Sequence, residues 1–106
     1  MVKKVKWAKS AIESRKHLLQ YWVERNKSTN YSIKLSKQIN EKVDLLKAFP
    51  LSGKATEMEN VRGLTFGHYS IFYSIHNNTI IILDIFDSRQ DPKLLISKLK
   101  STLGRV

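Results

Sequence analysis

The chain is 106 residues long and carries 19 Lys or Arg against 9 Asp or Glu, a formal net charge of +10 at neutral pH. That length fits one domain with a single core, and 42% hydrophobic with 26% charged residues excludes a disordered basic tail. The absence of cysteine excludes a disulfide framework, a thiolate zinc site and a cysteine nucleophile, and points to a reducing compartment, so a cytoplasmic protein is expected. The basic N-terminus leads into Ala8-Lys9-Ser10 rather than an apolar signal region, and the longest apolar run, Ile80 to Leu83, is far too short to span a bilayer.

The charge is uneven. Residues 1–27 hold eight Lys or Arg against two Glu, and residues 92–106 hold four basic residues and no acidic one. Residues 51–91 hold five acidic residues against three basic ones, so the positive excess sits at the two ends. Such a balance suits attraction to a polyanion or to an acidic protein and says nothing about fold.

Val2 to Trp7 alternates apolar and basic side chains and reads as a short strand. Ser10 and Glu13 then form the S-x-x-E pattern of a capping box, in which each side chain satisfies a free backbone donor of the other, so a helix is predicted to start near Ser10. Ile12, Leu19, Trp22 and Val23 recur at helical spacing as its apolar stripe, with Trp7 and Trp22 expected in the core. Asn26-Lys27-Ser28-Thr29-Asn30 breaks the pattern. A second helix follows, with Leu35, Ile39, Val43 and Leu46 on one face. Phe49-Pro50 stops it, because proline disfavours helical geometry in the residue before it. The two form an antiparallel hairpin with one apolar face.

Asn60 to Phe66 reads as a strand, and Gly67-His68 turns the chain into a second one from His68 to His76, where Tyr69, Ile71, Tyr73 and Ile75 alternate with Ser70, Phe72, Ser74 and His76. Asn77-Asn78 is a turn signal, since asparagine tolerates the positive φ of tight hairpins. Thr79 to Phe86 is apolar on both faces except at Asp84, the pattern of a central strand. Asp91 is placed to cap a last helix with Pro92 at its first position and Leu95, Leu99 and Leu103 as anchors. The expected fold is α+β: an N-terminal strand, an α-helical hairpin, a three-stranded antiparallel meander and a C-terminal helix, with helices packed on one face of the sheet, in a single domain over residues 1–106.

Four strings in this order carry a family resemblance. They are Leu46-Lys47-Ala48-Phe49-Pro50-Leu51-Ser52-Gly53-Lys54, Val61-Arg62-Gly63-Leu64, His68-Tyr69-Ser70-Ile71-Phe72-Tyr73 and Ile85-Phe86-Asp87-Ser88-Arg89-Gln90-Asp91-Pro92. Together with the element order they make the chain resemble the RelE/ParE superfamily of small bacterial toxins from type II toxin–antitoxin systems. The resemblance implies a plasmid-stabilisation toxin that arrests growth and is neutralised by a cognate acidic antitoxin. It leaves two targets: DNA gyrase, as in the ParE-like branch, which is placed first, and the ribosome with its messenger RNA, as in the RelE-like endoribonucleases.

The two branches ask for different residues. Metal-independent RNA cleavage needs groups to move protons and cations around the developing phosphorane charge. If the chain is RelE-like, the resemblance gives the electrostatic part to Lys54, Arg62 and Arg89 as catalytic residues. Each is otherwise an ordinary surface cation, paired with Glu57, Glu59 or Asp87. Two departures count against the nuclease: Arg89 is followed by Gln90-Asp91-Pro92 and then Lys93, where RelE-like chains often carry a tyrosine or a second basic group shortly after the arginine, and the segment carrying the sheet is net acidic. His68 and His76 are eight residues apart on one strand, roughly 26 Å, which excludes them as one acid–base pair.

A ParE-like toxin needs a contact surface instead, for which Tyr21 and Tyr31 are the aromatic anchors and Lys93, Lys98 and Lys100 the steering charges. No cofactor and no metal are expected, because the four glycines stand alone and no ligand cluster occurs. The further alternative is a non-toxic basic module that binds nucleic acid or another protein.

Overall fold

The computed structural model describes residues 4–104. Eight elements follow one another: β1 (Lys4–Trp7), α1 (Lys9–Asn26), α2 (Asn30–Ala48), β2 (Lys54–Ala55), β3 (Arg62–Phe66), β4 (Tyr69–His76), β5 (Thr79–Asp87) and α3 (Pro92–Leu103). Val2, the expected start of the first strand, lies outside the described residues. The strands form one sheet in the order β1-β5-β4-β3-β2, with β1 parallel to β5 and every other pairing antiparallel. The α+β class and the element order are as expected. Only the two-residue edge strand β2 is additional, too short to leave an alternating pattern.

The helical hairpin is built by its apolar spacing. Leu35, Ile39 and Leu46 of α2 are wholly buried and Val43 nearly so. Lys27 ends α1 in the left-handed conformation, at φ 52°. The Ser32 hydroxyl donates to the Leu19 carbonyl at 2.6 Å and the Arg15 guanidinium to Ser36 Oγ at 2.8 Å, which ties the two helices together. Asn77 and Gly67 take the positive φ their turns require, at 56° and 59°. Asp91 caps α3 as predicted, its carboxylate accepting the Lys93 amide at 3.0 Å.

Four expectations need correction. The Ser10–Glu13 capping box does not form: α1 starts after Ala8, with no side-chain cap. The register between β4 and β5 shifts so that Phe72 faces Asp84 while Tyr73 faces Ile82, leaving Leu83 as the extra residue of a bulge. The Ser10 hydroxyl is used there, donating to the Leu83 carbonyl at 2.9 Å and lying 3.0 Å from Thr102 Oγ1. Ile12 is 54% exposed rather than in the stripe. The Ala8 amide is bonded to the Ile82 carbonyl at 2.9 Å, which pins the first turn of α1 to β5 on its Ala11 side and turns Ile12 outward. Trp7 and Trp22 pack against the core and remain partly exposed.

The fourth correction concerns the helices. Ile71, Tyr73, Ile80, Ile82 and Ile85 share a cluster with the hairpin. Leu83, Ile81 and Phe72, of the opposite alternation, share one with Val61, Leu95, Leu99 and Leu103. Helices on one face therefore holds for α1 and α2, whereas α3 packs with the other set. A strand as apolar on both faces as β5 needs that second cover.

Candidate functional site

The C-terminal end of β5, the end of α1 and the start of α2 meet around Trp22. Its indole N–H donates to the Tyr69 hydroxyl at 2.9 Å, and Phe66 lies beside Tyr69 across the β3–β4 turn, 5.9 Å between centroids. Tyr21 and Tyr31 stand edge-on to Trp22, with ring centroids 5.1 and 4.9 Å away. Both are open to solvent, at 52% and 38% exposure, although aromatics at helical spacing are usually packed inside. Two guanidinium groups complete the cluster: Arg25 and Arg89 lie over the Trp22 ring at 5.9 and 5.7 Å. Burial, together with Tyr31, pushes the Tyr69 hydroxyl up to about 12, so it stays protonated.

Arg89 is held in place before any partner arrives. Its Nε and Nη2 donate to the Asp87 carboxylate, the shortest distance being 2.6 Å, and the Arg89 amide donates to the same carboxylate at 2.9 Å. The pair holds the Asp87 carboxyl below the usual range and raises the arginine further. Beside this cluster a groove of about 830 Å³ runs along α1, past Ser10, Ser14, His17 and Tyr21, to Asp87, Arg89 and Lys98.

The sheet register separates the three cations expected of a nuclease. Arg62 pairs with Tyr73, while Tyr69, four residues along β4, pairs with Asp87. Arg62 and Asp87 are thus roughly 13 Å apart along the strands and roughly 10 Å across two of them, with Arg89 two residues further on. Lys54 pairs with Gly63 and Ala55 with Arg62, so Lys54 and Arg62 point to opposite faces. Arg62 donates to the Gly53 carbonyl at 2.7 Å, next to Tyr73, whose hydroxyl accepts the Gly53 amide at 2.9 Å and donates to the Pro50 carbonyl at 2.7 Å. A Cβ on Gly53 would stand 2.6 Å from that hydroxyl, so only glycine lets the loop approach so closely.

Of the contact residues, Tyr21 and Tyr31 come together around Trp22, with Arg89, expected to be catalytic only in a RelE-like chain, over the ring. Lys98 lines the groove that Tyr21 also lines, whereas Lys93 and Lys100 are exposed on α3 outside that lining. His76 ends β4 and His68 lies in the turn just before its start, so the two stand apart as the spacing required. Sequence reasoning missed Trp22, Arg25 and Tyr69 as members of the cluster. The neighbouring Tyr21-Trp22 with Arg25 three and four residues on was its local signal. Among the described residues no group of His, Cys, Asp or Glu is arranged to hold a metal, and no helix is long and apolar enough to cross a membrane.

Comparison with known proteins bears on the family and the fold. A family model described as the ParE toxin of type II toxin-antitoxin system, parDE, matches residues 5–92. No curated protein matches. A solved structure titled "Chromosomal ParDE TA system from P. aeruginosa" superimposes with a TM-score of 0.71 at 23% sequence identity, covering 81% of this chain and 96% of that one, a likeness of fold.

Proposed function

The chain belongs to the ParE toxin family of type II toxin–antitoxin systems, and from that premise we propose that it arrests growth by binding DNA gyrase rather than by cutting RNA, and that a cognate acidic antitoxin neutralises it. One observation carries the preference. The expected nuclease cations are dispersed over the two ends and two faces of the sheet, whereas the expected aromatic anchors converge with two arginines into one exposed cluster.

Tryptophan, tyrosine and arginine are the side chains that dominate binding energy at protein interfaces; the rings bury a large area at little conformational cost, and arginine adds directed donors whose cost falls when it is already held. Here they are held before binding. Asp87 fixes the Arg89 guanidinium, Tyr69 fixes the Trp22 indole, and Tyr21 and Tyr31 stand edge-on against that indole. Preorganisation of this kind converts contact area into affinity, and the positive surface speeds encounter with an acidic partner.

The reading is tested with purified gyrase. The protein is expected to inhibit supercoiling or to trap cleaved DNA, and Tyr21→Ala with Arg89→Ala to remove the effect. Cleavage of ribosome-bound messenger RNA with no action on gyrase overturns it.

A further inference from the structure

Asp84 is the one acidic residue in the interior of β5, and its side chain is completely buried. One carboxylate oxygen, Oδ1, accepts the Ile85 amide at 2.9 Å. The other, Oδ2, is buried with no hydrogen-bond partner. Lys98 Nζ of α3 stands 4.0 Å from Oδ2, beyond hydrogen-bond reach, with its side chain 41% exposed. Enclosed carboxylates are normally paired or hydrogen-bonded at both oxygens, since a buried charge without them is costly.

The elements packed around Asp84 offer few other charges. From α1 comes the Ser14 hydroxyl, with Glu13 and His17 on the same groove wall. From β4 comes Phe72, opposite in the register. Arg89, further along the groove, is occupied by Asp87. The counter-charge therefore rests on Lys98, on an element whose remaining anchors are the leucines 95, 99 and 103 and the Thr102–Ser10 contact.

We infer that Asp84 is an ionisation-dependent clasp on α3: the helix docks firmly over the neutral carboxylic acid and is loosened by the carboxylate, which Lys98 compensates only in part. When α3 leaves, water reaches Asp84 and the strain of the buried charge is relieved. Burial holds this carboxyl above its usual range, with Ser14, Lys98 and the Ile85 amide pulling the other way. The docked state thus binds the proton more tightly than the undocked one. Docking is strongest below the ordinary carboxyl pKa and weakens as pH rises through the raised one.

The test is amide hydrogen exchange over α3 in the full chain, corrected for intrinsic rates, from about pH 3, below the ordinary carboxyl range, to about pH 8. Protection of α3 relative to β4 is expected to fall several-fold from the lower end to the upper end. Asp84→Asn should keep the high protection throughout. Lys98→Met should lower protection at the upper end only, and not at all in the Asp84→Asn background. An α3 protection independent of pH overturns the inference even if Asp84→Asn fails to fold. So does the same pH dependence in Asp84→Asn, which would assign it to His17 or another group, or an equal effect of Lys98→Met in both backgrounds.

Discussion

The two ends of the sheet use similar residues for opposite purposes. At the Tyr73 end, a tyrosine and an arginine turn inward: Tyr73 is wholly buried, and it and Arg62 hold the 50–53 loop through its backbone groups. At the Tyr69 end, tyrosines and arginines stand outward around Trp22, exposed and held only by one another and by Asp87. A basic or aromatic residue in this chain therefore declares its role by what its hydrogen bonds end on. Where they end on backbone carbonyls and amides, the role is structural. Where a guanidinium edge and two phenol rings still face water, we propose that the surface serves a partner.

The contrast breaks if substitutions at the two ends behave alike. The largest expected effect on stability is at the inward end: Tyr73→Phe strands the Gly53 amide and the Pro50 carbonyl and should cost about 1–3 kcal/mol in denaturant unfolding. Arg62→Ala, which removes one bond to the Gly53 carbonyl, should cost about 1 kcal/mol. At the outward end Tyr21→Ala should cost about 1 kcal/mol or less, yet weaken binding to gyrase by at least about tenfold. Arg89→Ala should leave the unfolding midpoint nearly unchanged and weaken the same binding.

The smallest effect sharpens the account of how Arg89 is held. The Asp87 carboxyl lies below its ordinary range because the charged form is bonded to Arg89, so the pairing is complete at neutral pH and above the ordinary value. It is lost only as pH falls through the lowered one. In Arg89→Ala the carboxyl should titrate upward towards the ordinary carboxylate range, followed by its carbon chemical shift. An unchanged titration would mean that Asp87 does not hold the guanidinium in solution.

The fold was legible because its periodicities are strong. Leu35, Ile39, Val43 and Leu46 announce α2, Asn77 and Gly67 mark their turns, and the doubly apolar β5 announces a strand covered on both sides. Where reading failed, a tertiary contact had outbid a local one. Ser10 satisfies the carbonyl of a bulge seventy-three residues away instead of its own helix end, and no local pattern reveals a bulge in a partner strand. The placement of α3 on the alternate face follows from Leu83 and Ile81 pointing there, which required recognising what a strand without a polar face demands. The candidate site was half legible. Tyr21 and Tyr31, expected as anchors, do come together, but around Trp22, expected in the core, and beside Arg89, expected to be catalytic only in a RelE-like chain; strand register decides which cations meet, and register is a property of pairs.

The central claim is that the outward end of the molecule acts on gyrase. The most direct measurement is induced expression in a bacterial host without antitoxin, following DNA, RNA and protein synthesis by pulse labelling in one culture, for the native chain, Arg89→Ala and Arg62→Ala. Early loss of DNA synthesis with the damage response induced is expected, weakened by Arg89→Ala and retained in Arg62→Ala as far as that variant folds. Early loss of protein synthesis with cut transcripts, dependent on Arg62, would contradict it.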